Sequence, residues 1–217
     1  MKPQLTIPAI QREAGIFARL ESDRWDAALF GTTDGKAIGT YLEHKFQTYL
    51  QQRYTFQAGS SARGIDFPEL GVDMKVTSLR RPQSSCPFRS ARQKIYGLGY
   101  ALLVFVYDKT DNQTDRTGRL EIVHTIFVET ERTADYQTTT GLLQILENNG
   151  NVDDIMAFLY DRRLPIEEIQ AEKLAEEVIT HPPSIGYLTI SNALQWRLQY
   201  RRAIENAGDV SGIHRIR

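Results

Sequence analysis

Cysteine is nearly missing from this chain: Cys86 is the only one in 217 residues. No intramolecular disulfide and no cysteine-based zinc site can form, and the composition suits a reducing compartment. No run approaches the ~20 apolar residues that a bilayer-spanning helix needs. Met1 to Ile10 holds no apolar segment of the signal-peptide kind. A cytoplasmic protein with no membrane partner is therefore expected. Net charge is also nearly missing, at −1, which by itself argues for no nucleic-acid partner. The four histidines, His44, His124, His181 and His214, share no metal-ligand spacing, so each reads as structural or surface. Cys86 has no Cys/His partner pattern and reads as a packing residue.

What is present is a chain that is 41% hydrophobic, enough for a single domain over residues 1–217. The charges are unevenly spread. From Met74 to Tyr107 there is no acid, while Lys75, Arg80, Arg81, Arg89, Arg92 and Lys94 fall there; from Glu121 to Glu177 acids dominate. A basic block beside an acidic one suggests one face built for a polyanion.

Ile7 to Leu20 and Trp25 to Phe30 read as short amphipathic helices. Lys36 to Gln52 reads as a longer one, with Ile38, Leu42, Phe46 and Tyr49 or Leu50 on one stripe and Glu43 at its border. Two short strands follow, Gly64–Phe67 and Val72–Thr77. Ser90 to Gly97 reads as a helix started by Ser84-Ser85 or Ser90. Tyr100 to Tyr107 is an apolar run of strand length, expected to be buried on both faces. Leu120 to Thr130 reads as its neighbour across a long polar loop, Asp108 to Gly118. Helices are expected at Gly141–Asn148, Val152–Arg162, Pro165–Ile179 and, capped by Ser191, Ser191–Ala207. The class is α/β: a small mixed sheet flanked by helices, with a core over about 36–130 and a helical C-terminal region over about 134–217.

The chemistry concentrates in Gly64-Ile65-Asp66-Phe67-Pro68-Glu69-Leu70-Gly71-Val72-Asp73-Met74-Lys75-Val76. Asp73 and Lys75 are two apart in a strand, so they leave the same face. Charges are costly on an apolar strand, and a divalent cation beside a phosphodiester would account for them. The hairpin brings Asp66 beside Asp73 as two metal ligands. The Met74 carbonyl lies between the charged side chains as a third, and Glu43 can reach from its helix as an accessory acid. Lys75 would orient or deprotonate the attacking water and neutralise phosphate. The plain alternatives are an Asp73–Lys75 ion pair with Asp66 as a turn acid, and Glu43 as a helix-surface acid.

This pattern resembles the PD-(D/E)xK nuclease superfamily, which includes most type II restriction endonucleases. The order matches: helix Glu43, Asp66, Asp73-Met74-Lys75, then a helix and a strand. The local text is also similar to the MutH-type nicking endonuclease of mismatch repair. Ile65 stands where the superfamily often has Pro, and the second acid is Asp. The resemblance covers about residues 36 to 130. It implies a restriction-endonuclease-like core and a Mg²⁺-dependent, sequence-specific endonuclease acting on double-stranded DNA.

Ser78 to Arg92 follows the acid-x-Lys strand directly and is rich in donors. Arg80, Arg81, Gln83, Ser84, Ser85, Arg89, Arg92 and Lys94 are the candidate DNA contacts, because Arg and Gln can read purine edges and Ser and Lys suit phosphates. Trp196, Arg197, Tyr200 and Arg201 fit an aromatic core stripe bordered by arginines, the alternative being a second DNA-contacting element. The tail His214-Arg215-Ile216-Arg217 reads as frayed or phosphate-binding. A cut in both strands needs two active sites, hence an expected homodimer on a palindromic site. Two rivals stand beside this: a nicking repair endonuclease or junction resolvase, and a non-catalytic DNA-binding module with a degenerate nuclease core.

Overall fold

A computed structural model describes residues 2–57, 59, 64–85, 90–191 and 196–217. In chain order the elements are α1 (Ile7–Ser22), β1 (Trp25–Asp26), α2 (Gly35–Gln51), β2 (Val72–Ser78), β3 (Gln83–Ser85), α3 (Arg92–Tyr96), β4 (Ala101–Asn112) and β5 (Thr117–Val128). They continue with α4 (Tyr136–Glu147), α5 (Val152–Asp161), α6 (Glu168–Thr180), β6 (Thr189–Ile190), β7 (Arg197–Gln199), α7 (Arg201–Glu205) and β8 (Ile213–Arg215). The main sheet has the order β1-β5-β4-β2, with β8 also on β5. β2 and β4 run parallel, from Val72 opposite Ala101 to Ser78 opposite Tyr107. The remaining pairs of this sheet are antiparallel. A second, three-stranded sheet has the order β3-β7-β6.

The apolar run at residues 101–107 is buried on both faces because each face meets a different layer. Leu103, Phe105 and Tyr107 join Val72 and Met74 under α1 and α2. Leu102, Val104 and Val106 face Leu188, Ile190, Leu198 and Tyr200. A separate cluster under α3 to α6 gathers Ile95, Leu142, Ile155, Leu159 and Leu174. The stripe read on α2 is the one buried: Ile38, Leu42, Phe46 and Leu50 are all within 2% of full burial. Each such side chain is worth roughly 1.5–3 kcal/mol. Asp34 caps the helix by accepting from the Lys36 N–H at 2.9 Å. With its stripe fixed against β2, α2 has no freedom to turn Glu43 away from the sheet.

Several local expectations fail for identifiable reasons. Residues 25–30 form β1 and a 3₁₀ turn at Ala27–Leu29. Trp25-Asp26 pairs with Arg119 and Gly118, and Leu29 packs where a Cβ on Gly118 would sit 2.8 Å from the Leu29 Cβ. Gly64–Phe67 is not a strand; only Phe67 pairs, with Val72, across a 3₁₀ turn at Pro68–Leu70. The polar stretch 108–118 is mostly strand. The β4–β5 ladder runs on to Asn112 opposite Thr117, and the Asn112 carboxamide oxygen accepts from the Thr114 and Asp115 N–H groups to close the turn. α3 is capped by Ala91, not by a serine. α4 begins earlier than expected, behind Asp135, and α6 begins three residues late.

The helix expected at Ser191–Ala207 is reduced to α7, preceded by β7. Ser191 closes a hairpin instead of capping a helix: its N–H donates to the Arg197 carbonyl and its Oγ accepts from the Arg197 N–H. The C-terminal region is therefore helical with three short strands added. The tail is not frayed, because β8 pairs β5 and His214 Nε2 meets Glu129 Oε1 at 2.7 Å.

Candidate active site

The Phe67–Val72 bridge exchanges both backbone hydrogen bonds, at 2.9 and 3.2 Å. The next pair outward is therefore Asp66 opposite Asp73, with side chains on one face and within reach of each other. Gly71 closes the intervening turn at φ 60, a left-handed conformation that glycine adopts without strain. The hairpin thus sets the spacing between the acids through its backbone, without a regular first strand.

Asp66 Oδ2 accepts the Met74 N–H at 2.8 Å. That N–H points away from β4, since β2 lies at the sheet edge. In a strand the carbonyl of the same residue leaves on the same side. The Met74 carbonyl thus shares the free edge with Asp66. Asp73 is only 2% exposed. Lys75 Nζ sits 2.7 Å from its Oδ2, in ion-pair contact but without the alignment of a hydrogen bond, and that oxygen makes no hydrogen bond. Burial pushes the Asp73 carboxyl up to about 7; Lys75 opposes the shift and Asp66 adds to it.

Glu43, half-buried on α2, is the fourth charged group. Burial raises its pKa, and Asp66 raises it further, while Lys75 and His44 pull it down. These are the causes expected of a carboxylate beside the pair and the lysine. The structure therefore gathers Glu43, Asp66, Asp73 and Lys75. Among the described residues no group of three or more Asp, Glu, His or Cys side chains converges tightly enough to hold a metal by itself. Two carboxylates, one carbonyl and open space are what Mg²⁺ uses, since it keeps several of its waters. The unsatisfied buried Asp73 oxygen fits that donor set.

Glu43 and Lys75 open into a cleft of about 660 Å³. Its walls include Arg81, Gln83, Ser84 and Ser85 from the expected DNA-facing segment, and Lys36, Thr77, Tyr107 and Arg197 from elsewhere. Arg80 is exposed and lines an adjoining groove with Arg81 and Gln83. Arg92 and Lys94 are not brought to the cleft. Arg92 grips Glu177 through Nε and Nη2, at 3.1 and 2.6 Å. Lys94 is 4% exposed, with its ammonium over the Trp196 ring. Arg89, like Cys86, lies outside the described residues. Arg197 reaches the cleft from β7, where the expected helix sets it in a surface arginine stripe. The alternation Trp196-Arg197-Leu198-Gln199-Tyr200-Arg201 carried the strand signal.

Among the described residues no helix is long and apolar enough to cross a membrane. The profile of the family described as type II restriction enzyme NspV matches residues 4–215. The type II restriction enzyme NspV of Nostoc sp. is 61% identical over 209 residues, covering 96% of this chain and 95% of that protein. No solved structure matches. Full-length similarity of this kind, over a chain whose hairpin sets two acids and a lysine beside a polar cleft, identifies it as a member of the NspV family of type II restriction enzymes.

Proposed function

We propose that this chain is a Mg²⁺-dependent endonuclease that recognises a specific sequence in double-stranded DNA and hydrolyses a phosphodiester in each strand. Type II restriction enzymes generally use a divalent metal ion. The reading rests on one observation above all: Asp66 and Asp73 face each other at a free strand edge, and the buried Asp73 Oδ2, in ion-pair contact with Lys75, makes no hydrogen bond. Asp66, Asp73 and the Met74 carbonyl would hold the cation, with Glu43 as an accessory ligand or acid. When bound, the cation supplies Lewis-acid neutralisation of charge developing on the phosphate.

The chain's own groups do the rest. Lys75, held at the carboxylate edge, orients the attacking water and adds positive charge beside the phosphate. Glu43, whose carboxyl pKa burial raises above the ordinary range, stands beside Lys75 in the cleft as the accessory acid. Arg80, Arg81, Gln83 and Ser85 follow the catalytic strand and contact the duplex, while Ser84 turns inward to the Tyr200 hydroxyl. Cutting both strands calls for two copies on a two-fold site, and a homodimer is the proposed form. The single cysteine supports action in the reducing cytoplasm.

The test is incubation of supercoiled plasmid with purified protein and Mg²⁺, with sequencing of the product ends. Discrete linear fragments with one common end sequence are expected, together with loss of cutting but not of binding in Asp73→Ala and Lys75→Ala. Full activity of Asp73→Ala would overturn the site. Open circles without linear product would favour the nicking reading.

A further inference from the structure

The second sheet has no part in the chemistry just described, yet it forms a wall of the same cleft. β3 and β7 are antiparallel, with Gln83 opposite Gln199, Ser84 opposite Leu198 and Ser85 opposite Arg197. Side chains alternate across a strand, so Gln83, Ser85, Arg197 and Gln199 share one face and Ser84 and Leu198 the other. The inner face is anchored: Leu198 is fully buried, and the Ser84 hydroxyl pairs with the Tyr200 hydroxyl at 2.5 Å. The outer face carries two amides, a hydroxyl and a guanidinium, with no acid and no apolar side chain.

This ribbon is tied to the catalytic strand. Thr77 lies two residues beyond Lys75 on β2, and its Oγ1 accepts the Gln83 N–H at 2.8 Å. The Tyr200 N–H donates to the Pro82 carbonyl at 2.8 Å. On the far side, Asp135 accepts the Ile190 N–H at 2.7 Å and holds β6 to the start of α4. Beside the ribbon, Arg80, Arg81 and Arg201 line a groove of about 420 Å³ with Gln83 and Gln199. Arg81 and Gln83 also line the cleft that holds Glu43 and Lys75. One surface therefore runs from Glu43 and Lys75, over the ribbon, to three exposed arginines.

Building on the nuclease reading, we infer that the β3–β7 ribbon is the sequence-reading element. Gln83 and Gln199 form a cross-strand pair of base-reading amides, and Arg80, Arg81 and Arg201 grip the flanking phosphates. The major groove of B-DNA admits a two-stranded β-ribbon, and a Gln amide matches the N6/N7 edge of adenine. A ribbon fixed to the catalytic strand by hydrogen bonds gives the distance between read base and cut bond a rigid origin.

The experiment measures cleavage and equilibrium binding of the wild-type protein and of Gln83→Ala, Gln199→Ala and Arg201→Ala. The duplexes carry the cut sequence, each single-base substitution of it, or a random sequence. Each Gln→Ala change should lower cleavage of the cut sequence by roughly 5- to 150-fold. It should flatten discrimination at one base pair and leave random-duplex binding unchanged. Arg201→Ala should weaken binding to every duplex alike and reduce the salt slope by about one. Gln199→Glu, nearly isosteric and exposed, provides a second variant; it should move the preference at that position from adenine toward cytosine. Wild-type discrimination in both Gln variants, or a loss equal on all sequences, overturns the ribbon and leaves the nuclease reading intact. A wild-type protein that binds one sequence selectively through these glutamines without cutting overturns the nuclease reading and leaves the ribbon standing.

Discussion

Asp73→Asn should stabilise this protein progressively as pH rises. The folded carboxyl titrates at about 7 against an ordinary value of 3.8, chiefly because it is buried. A folded pKa above the unfolded one means that the native state holds a proton the unfolded chain has released. The stability contributed is fully present below about pH 4 and is lost as pH climbs through about 7. One bound proton changes unfolding free energy by ~1.4 kcal/mol per pH unit. Wild type should therefore lose roughly 2–3 kcal/mol between about pH 5 and 7 relative to Asp73→Asn, which cannot ionise. Glu43 shifts in the same direction, but it is present in both proteins and cancels to first order. Lys75 opposes the shift, so its attraction for the ionised carboxylate is already contained in the folded value and adds no separate pH dependence. The assay is urea unfolding of both proteins at several pH values without divalent cation, then with Mg²⁺ near pH 8. Mg²⁺ should raise wild-type stability and leave the variant nearly unmoved. Parallel stability curves for the two proteins from pH 5 to 7 would refute the argument.

Thr77→Val should uncouple reading from cutting. It removes one of two acceptors of the Gln83 N–H, the Arg81 carbonyl being the other, and the hydroxyl donor to the Arg81 and Gln83 carbonyls, at a cost of about 0.5–1.5 kcal/mol, so kcat should fall more than binding and Thr77→Ser should restore it; an unchanged kcat would show that Thr77 does not position the ribbon. Phe46→Ala removes a fully buried ring that packs on Phe17 and Phe105, and should lower stability by about 3–5 kcal/mol in the same unfolding assay. Arg92→Ala breaks an ion pair whose arginine is 57% exposed, so its effect on stability should stay below about 1 kcal/mol. Its effect on DNA affinity should be nil by fluorescence anisotropy, since Arg92 faces Glu177 and not the cleft; a clear loss of affinity would place Arg92 on the DNA surface after all.

What could be read from the sequence followed from the strength of each local pattern. The α2 stripe and the doubly buried β4 run are long and periodic, and both stand as expected. The hairpin carrying Asp66 and Asp73 was legible by its residues but not by its conformation. Gly64-Ile65-Asp66 makes no ladder, and a single bridge at Phe67–Val72 fixes the spacing. The segment 191–207 misled because Trp196, Tyr200, Ala203 and Ala207 satisfy a helical period while Leu198 and Tyr200 satisfy a strand period. Tertiary pairing with β3, more than a hundred residues away in sequence, decides between the two, and local propensity carries no information about it. Arg92 and Lys94 misled differently. A basic run reads as one patch, yet α3 turns Arg92 to Glu177 and Lys94 into a buried site over Trp196.

That division bears on how the site is built. On the proposed assignment, the groups that carry the chemistry lie within ten residues, Asp66 to Lys75, except Glu43, which α2 delivers through its buried stripe. The ribbon draws its strands from opposite halves of the chain, and its outer face takes residues that no motif marks. Catalysis needs a few charges at fixed spacing, which one hairpin can encode locally. Recognition needs a rigid surface whose side chains can vary, and a strand pair buried on one face and polar on the other provides that without disturbing the core. β2 joins the two: Asp73 and Lys75, the proposed catalytic pair, sit at one end, and Thr77 at the other holds the Gln83 backbone. An alteration in the outward row 83, 85, 197 and 199 should therefore change which sequence is cut while leaving how it is cut untouched.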